Sequence, residues 1–351
     1  MGTRIAGINL SKNGSLAIIN DGEVEFYLEE ERLSRIKRDR GAKFLVEKYL
    51  DGVDAVAICD CYTKYYPKKF LQRTKEKEAV CKVIRDKNIP ILDYRQRHHE
   101  CHAANARYGS PFDDCAVLVM DGKGSVHDHN ERRFCEIESI FDNENPVFKH
   151  YSTFWSEEEC RKIEKPYWES MNTELLFWEG EDCHSENTDG FILYSDRTSV
   201  GQAYRRVSRE CGFDELDAGK TMGLSAYGSE RTGYGSKRID LFKEEYGHSF
   251  CSKELYAKED STGYYGNQEP IDLAYNLQKS AERHAIYMVA MAINLTNNKN
   301  VCVTGGFFLN CVANYAIIKN VDVNLYADPL SYDGGLAIGS ALLAYYEHFC
   351  N

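Results

Sequence analysis

The sequence predicts an α/β architecture with a mixed β-sheet, folded as two related lobes that face one another. Strand patterns alternate with helix patterns along the chain. An apolar strand running into a glycine turn occurs twice, once within residues 4–28 and again in CAVLVMDGKGS at 115–125. The 351 residues, 43% hydrophobic and 28% charged, are enough to bury two cores.

Residues 4–28 read as strand, turn, strand: IAGINL and SLAII, then Asn20-Asp21-Gly22, then EVEFYL. Asp-Gly between β-rich runs supplies the positive φ angles of a tight hairpin turn. Residues 44–52 predict a helix, DAVAICD (54–60) a buried strand, and 67–87 a basic amphipathic helix. IPILDY (89–94) predicts a short strand just before a histidine cluster. Further on, 270–298 predict a long helix, VCVTGG (301–306) a buried strand ending in glycines, and VNLYADP (323–329) another strand. Residues 333–349 predict a closing helix that starts on glycines.

No apolar run approaches the ~18–20 residues of a membrane helix. The longest, Ala285 to Ile293, suits a buried helix, so no membrane partner is expected. MGTRIAGINL enters a strand pattern directly, without the layout of a signal peptide. The 13 cysteines are odd in number, scattered and without a C-x-x-C pair. That pattern predicts reduced thiols of a cytoplasmic protein and no zinc ribbon. The net charge of −12 is uneven, with +5 in residues 1–110 and −17 in the rest. Basic residues concentrate in Arg32–Lys43 and Lys64–Lys87. Such runs are usually solvated helix faces; the alternative is a surface that meets phosphates of a nucleotide or nucleic acid.

His98-His99-Glu100-Cys101-His102 is the densest chemical signal. On a helix His98 and His102 stand four apart on one face, where two imidazoles can grip one ion, and His99 neighbours His102 three apart. Two ligands leave a site incomplete, so a carboxylate is expected from elsewhere. Three glycine turns follow strands or open a helix: Asp121-Gly122-Lys123-Gly124, Gly305-Gly306 with Asn310 four beyond, and Asp333-Gly334-Gly335. Each alone is weak, although free N–H groups at the start of the last helix favour an anion. Neither dinucleotide nor P-loop fingerprints are present.

Five segments, in order, resemble the NodU/CmcH-type O-carbamoyltransferases. They are EEERLSRIKRDRG (29–41), HHECHAANARYGSPFDDCAVLVMDGKG (98–124), GKTMGLSAYG (219–228), GGFFLNCVANYAI (305–317) and DGGLAIGSAL (333–342). The resemblance implies the two-lobed actin, sugar-kinase and heat-shock-chaperone fold, which is ribonuclease-H-like with mixed sheets and similar to the tRNA threonylcarbamoyl transferase domain. Lobe I would take residues 1–114 and the closing helix 336–349, and lobe II residues 115–335. It implies a donor, carbamoyl adenylate, made from carbamoyl phosphate and ATP, and a hydroxyl acceptor. It implies that His98, His102 and Asp333 hold a divalent metal, of which iron, manganese and zinc all suit the mixed donors, with magnesium accompanying ATP. Asp121, Gly122, Lys220, Gly223, Gly305, Gly306 and Asn310 would hold the nucleotide. His99 is a candidate base for the acceptor hydroxyl, or else orients its neighbours.

Three departures qualify the resemblance. Lys12, in Lys12-Asn13-Gly14-Ser15, replaces a histidine usual in the first hairpin; it either deprotonates the acceptor or holds an acceptor phosphate, the second being favoured. The family's C-terminal YrdC-like domain is not in this chain, which makes a separate YrdC-like protein a candidate partner. Residues 127–195 form an insertion containing Trp155, Trp168 and Trp178 with Tyr151, Phe154, Tyr167 and Phe177. It is either a self-packed subdomain or an acceptor lid. As a lid over a basic lobe it would suit a hydroxymethylated pyrimidine, as nucleotide or in DNA, better than an antibiotic sugar. A tRNA threonylcarbamoyl transferase-like enzyme and a non-catalytic nucleotide-binding scaffold are the alternatives.

Overall fold

The computed structural model describes residues 2–61, 67–129, 132–153, 167–170, 175–176, 190–195, 199–229 and 270–350. Strands β1 (Arg4–Asn9), β2 (Ser15–Asn20) and β3 (Glu23–Glu29) form an antiparallel meander. Asn20 pairs with Glu23, leaving Asp21 and Gly22 as a two-residue turn with φ of 48° and 86°. That pair of left-handed residues matches the twist of the flanking strands. Helices α1 (Glu31–Ser34) and α2 (Lys43–Tyr49) follow. The Glu30 carboxylate accepts the Phe44 and Leu45 N–H groups at 2.8 and 3.2 Å, capping α2, so part of the acidic-basic motif is structural.

Next come β4 (Ala55–Cys59), α3 (Pro67–Asp86), β5 (Ile91–Asp93) and α4 (His98–Gly109). The first sheet has the order β3-β2-β1-β4-β5, with β1, β4 and β5 parallel. Its alternate residues pack two ways: Ala6, Ile8, Val56 and Ile58 meet Leu45, Val46, Val80 and Ile84 on one face. Ile5, Ala55 and Ala57 meet Cys101, Ala104 and the closing helix on the other. This is the period-two pattern of a sheet buried on both sides.

The second lobe comprises β6 (Ala116–Met120), β7 (Val126–His129), β8 (Arg132–Asp142), β9 (Asn145–Thr153), β10 (Tyr167–Ser170), β11 (Leu175–Leu176), β12 (Phe191–Ser195), α5 (Val200–Glu210), α6 (Ala218–Ser225), α7 (Pro270–Thr296), β13 (Asn300–Thr304), α8 (Cys311–Asn320) and β14 (Asn324–Ala327), before the closing helix α9 (Leu336–His348). Its nine-stranded sheet runs β11-β10-β12-β9-β8-β6-β13-β14, with β7 paired to β8. Residues from α5, α7 and α8 fill the core on one face. On the other face Val117, Val119 and Cys302 meet Ala103 and Ala106 of α4.

Helix α4 is therefore wedged between the sheets, with Cys101 and Ala104 toward one and Ala103 and Ala106 toward the other. Helix α9 lies directly on it: a Cβ at Gly339 would sit 1.8 Å from the Cys101 carbonyl oxygen, so only glycine permits that approach.

The described part of the insertion belongs to the second sheet. Its strands β8, β9, β12 and β10 add successively to the edge of β6 and continue the second sheet. Tyr151 lies in β9, and Tyr167 and Trp168 lie in β10. Trp155, Trp178, Phe154 and Phe177 lie outside the described residues.

A buried polar network ties these strands to α7. Glu138 on β8 accepts a hydrogen bond from His150 Nδ1 at 2.9 Å and another from His284 Nε2, while His150 Nε2 meets Ser195 Oγ at 2.7 Å. All four side chains belong to residues no more than 1% exposed. Burial alone raises a carboxyl pKa; here the His284 charge and hydrogen bonds from both imidazoles overcome it and hold Glu138 down at about 2.

Candidate metal centre and interlobe cleft

Three segments meet between the sheets: the start of α4, the end of β6 and the turn before α9. They bring His98, His102, Asp121 and Asp333 together, with one ligand atom of each lying within 4.8 Å of the others. Ligands bonded at about 2.1 Å lie roughly 3.4 Å apart around a tetrahedral ion, so binding would draw the quartet together. His98 and His102 share a helix face as expected from their spacing, their rings 4.9 Å apart and edge-on. His98 Nε2 lies 3.3 Å from Asp121 Oδ2, and the His98 N–H donates to Ser125 Oγ at 3.1 Å. Asp333 is anchored by lobe I: Ser11 Oγ donates to its Oδ2 at 3.2 Å, and Asn9 Nδ2 to its carbonyl at 2.8 Å.

Both ring nitrogens of His102, and Nδ1 of His98, are buried without a hydrogen-bond partner among the described residues. A buried nitrogen left bare costs about 1–3 kcal/mol, so these atoms are organised for something other than protein. Two imidazoles and two carboxylates, with bare nitrogens among them, fit a divalent transition metal. Burial disfavours charge on His98, but the Asp121 hydrogen bond and the Asp333 and Asp121 charges outweigh it and lift its pKa to about 9. Burial also opposes charge on Asp121, yet His98 and the other imidazoles hold it well below the usual carboxylate range. Asp333 is pushed up by burial and by the Asp121 charge, and His102 is pushed down by burial and by His98.

The expected nucleotide residues divide into two groups. Gly305 and Gly306 lie against Asp121, whose Oδ1 accepts the Gly306 N–H at 3.3 Å. Gly305 has φ of 92°, and a Cβ there would come 2.3 Å from the Met120 carbonyl. Gly305→Ala is expected to destabilise the fold by about 2 kcal/mol or more, read as a lowered urea midpoint, because it combines left-handed strain with a backbone clash. Gly122 accepts from Ser199 Oγ at 2.8 Å, which docks the start of α5 on the turn.

Asn310 is spent internally: its amide donates to Tyr204 and Gln278, both at 3.0 Å, and its oxygen caps α8 through the Ala313 N–H. Through that cap Asn310 places the helix that follows Gly305 and Gly306. Lys220 and Gly223 lie apart on α6. The Lys220 ammonium is 62% exposed and paired with Asp217 at 2.6 Å, and the space beside Gly223 is open. Arg38 of lobe I donates to the Leu216 carbonyl at 3.1 Å, which brings the α6 segment toward the cleft.

The two expected catalytic groups differ in access. The His99 ring is fully buried, with Nδ1 2.8 Å from Ser139 Oγ and its Nε2 edge covered by Gly124. Lys12, in the β1–β2 turn beside Asp333, is only partly buried, and its ammonium has no carboxylate within 4.0 Å among the described residues. Burial pushes its pKa down; Arg38 and Arg205 add to that, and Asp333 and Asp121 oppose it.

Sequence reasoning missed Asp121 as a member of the cluster, having placed it near phosphate or ribose. The available signal was its position at the end of a strand buried on both faces, where Asn9 stands in lobe I. Ser11 and Asn9, which fix Asp333, carried no signal of their own.

The architecture is the two-lobed actin and sugar-kinase type. Full-length HypF in its phosphate- and nucleotide-bound form shares it over 98% of this chain and 55% of that one, at 13% identity and a TM-score of 0.53. HypF of T. kodakarensis matches over 99% and 48%, at 12% identity and a TM-score of 0.51. The chain belongs to the carbamoyltransferase family: the family model described as carbamoyltransferase N-terminus matches residues 59–342. It is 23% identical to the protein sll1178 of Synechocystis over 99% of its own length and 58% of that relative. It is 22% identical to the nodulation protein NolNO of Sinorhizobium fredii over 94% of its length and 46% of the relative. The chain thus spans about half the length of these curated relatives.

Proposed function

We propose that this chain is the transfer half of an O-carbamoyltransferase, moving a carbamoyl group from carbamoyl adenylate, formed from carbamoyl phosphate and ATP, to an acceptor hydroxyl. The observation that carries the reading is the quartet His98, His102, Asp121 and Asp333, seated between two lobes in a chain of this family. A metal ion held by the quartet supplies Lewis-acid polarisation of the carbamoyl carbonyl. Gly305 and Gly306 let backbone approach a nucleotide phosphate closely, and Lys220 and Gly223 on α6 would meet the nucleotide from a separate side.

In the transfer the acceptor oxygen forms a bond to the carbamoyl carbon, and the bond from that carbon to the adenylate oxygen breaks. AMP leaves with the electron pair. The hydroxyl proton goes to Lys12 Nζ, because His99 is sealed beneath Gly124 while Lys12 stands at the cleft with a pKa shifted in the direction a base requires. Lys12→Arg keeps the charge and removes the base; it is expected to lower kcat at least a hundredfold with little change in KM, by the usual worth of a positioned base. A fully active Lys12→Arg variant would instead give Lys12 to an acceptor phosphate.

The acceptor we favour is a hydroxymethylated pyrimidine nucleotide or DNA base, on the basic turn 32–40 at the lobe I rim. The test is mass spectrometry of hydroxylated nucleosides, nucleotides, DNA and sugars after incubation with carbamoyl phosphate and ATP. A carbamoyl mass gain on one class identifies the acceptor. Gain on none, with and without an added YrdC-like protein, defeats the reading, and modified tRNA adenosine would favour a threonylcarbamoyl transferase.

A further inference from the structure

The base assignment leaves His99 without a role, although its surroundings are built with care. Three buried side chains meet behind the metal quartet: His99 on α4, with Ser139 and Glu136 on β8, each no more than 2% exposed, and Glu136 Oε1 itself 3.7 Å from His99 Nδ1. His99 Nδ1 lies 2.8 Å from Ser139 Oγ, and Ser139 Oγ lies 3.2 Å from Glu136 Oε1. The Lys149 ammonium reaches the same Glu136 oxygen at 3.3 Å, and Glu100 at 3.7 Å.

The direction of every hydrogen in this group follows from one member. An ion-paired carboxylate only accepts, and a serine has one hydroxyl hydrogen. Ser139 therefore donates to Glu136 and turns a lone pair toward His99, so Nδ1 must carry the ring proton. Nε2 is then bare, and it has no partner among the described residues. The bare edge is the one that lies under Gly124: a Cβ there would be 2.8 Å from both Nε2 and Cδ2. A hydrogen on Nε2 would press into the same backbone.

Gly124 is hydrogen-bonded to β8, its N–H donating to the Glu136 carbonyl at 2.7 Å, and it ends the short turn that begins at Asp121. We propose that Glu136 and Ser139 are positioning residues that fix the Nδ1–H tautomer of His99, and that the bare edge of this ring sets the Asp121–Ser125 turn and thereby the placement of Asp121 in the quartet. The inference rests on the quartet being a metal site, but its first readout does not.

Nitrogen-15 spectroscopy of the full chain, without metal and with zinc added, reads the His99 tautomer directly. The expected result is a protonated Nδ1 and an unprotonated Nε2 in both states. Ser139→Ala is expected to mix the tautomers and weaken zinc binding about tenfold, the lower end for residues that support a ligand, while Ser139→Thr restores both. A proton on Nε2 in the natural chain overturns the proposal. So does Ser139→Ala with unchanged tautomer and zinc affinity, or a loss that threonine fails to restore. If zinc does not bind the natural chain, the metal reading fails, and a confirmed Nδ1–H tautomer would still separate that failure from failure of the relay.

Discussion

His102→Ala is expected to abolish carbamoyl transfer and lower metal affinity at least a hundredfold while leaving the folded chain nearly as stable as before. The asymmetry follows from the hydrogen bonds. Neither ring nitrogen of His102 has a protein partner, so truncation breaks no polar contact and leaves no orphan behind. What remains is a cavity at a buried position, costing about 2–5 kcal/mol, which is offset by the removal of two bare buried nitrogens at about 1–3 kcal/mol each. Losing one of four ligands from a site drawn from separate segments removes both a bond and the geometry of the remaining three. Elemental analysis after dialysis, urea denaturation and turnover with carbamoyl phosphate and ATP measure the three quantities separately. Retained metal and unchanged turnover would remove His102 from the site.

Glu138→Ala should do the reverse, unfolding the chain far from the chemistry. It leaves two imidazoles and a serine buried around an empty anion position. Breaking such a buried ionic network by deleting one partner costs about 3–5 kcal/mol. The pH dependence carries its own sign. Because the folded Glu138 pKa is depressed from 4.5 to about 2, its contribution is fully present above pH 4.5 and is lost as pH falls through 2. Urea midpoints measured between those limits should therefore decline less steeply with acid in Glu138→Gln than in the natural chain. Equal slopes would mean that the carboxylate is not stabilised by its histidines.

The contrast between these residues explains what was legible in the sequence. His98 and His102 could be read because helical spacing is a local property, and four positions along the chain are one turn in space. The Asp21-Gly22 turn and the alternating strand and helix were legible for the same reason. Asp121 was read as a phosphate neighbour because its sequence context, a strand followed by glycines, is shared by phosphate turns and by strand-end ligands; only the approach of α4 distinguishes them. How the insertion's strands pair was not legible, because strand order is a long-range choice. Nothing local in Phe191–Ser195 announces that it pairs with Phe148–Ser152 rather than with a partner inside the insertion. The Glu138 network was invisible for a further reason: its members come from β8, β9, β12 and α7, and each alone looks like an ordinary polar residue.

The closing helix has a consequence for how the molecule comes into being. Asn9 and Asp333, bonded through Asn9 Nδ2, are 324 positions apart, and Ser15 bonds the Gly334 carbonyl across 319. The first sheet therefore exposes one face until the segment around Asp333 has been synthesised. Loop closure over such a distance is late and slow. Asp333 arrives with α9, so the last ligand of the quartet and the last piece of the first core are delivered in one step. On the proposed metal reading, a chain that has not yet reached Asp333 offers an ion an incomplete quartet, and capture by all four groups would report that the first core has closed.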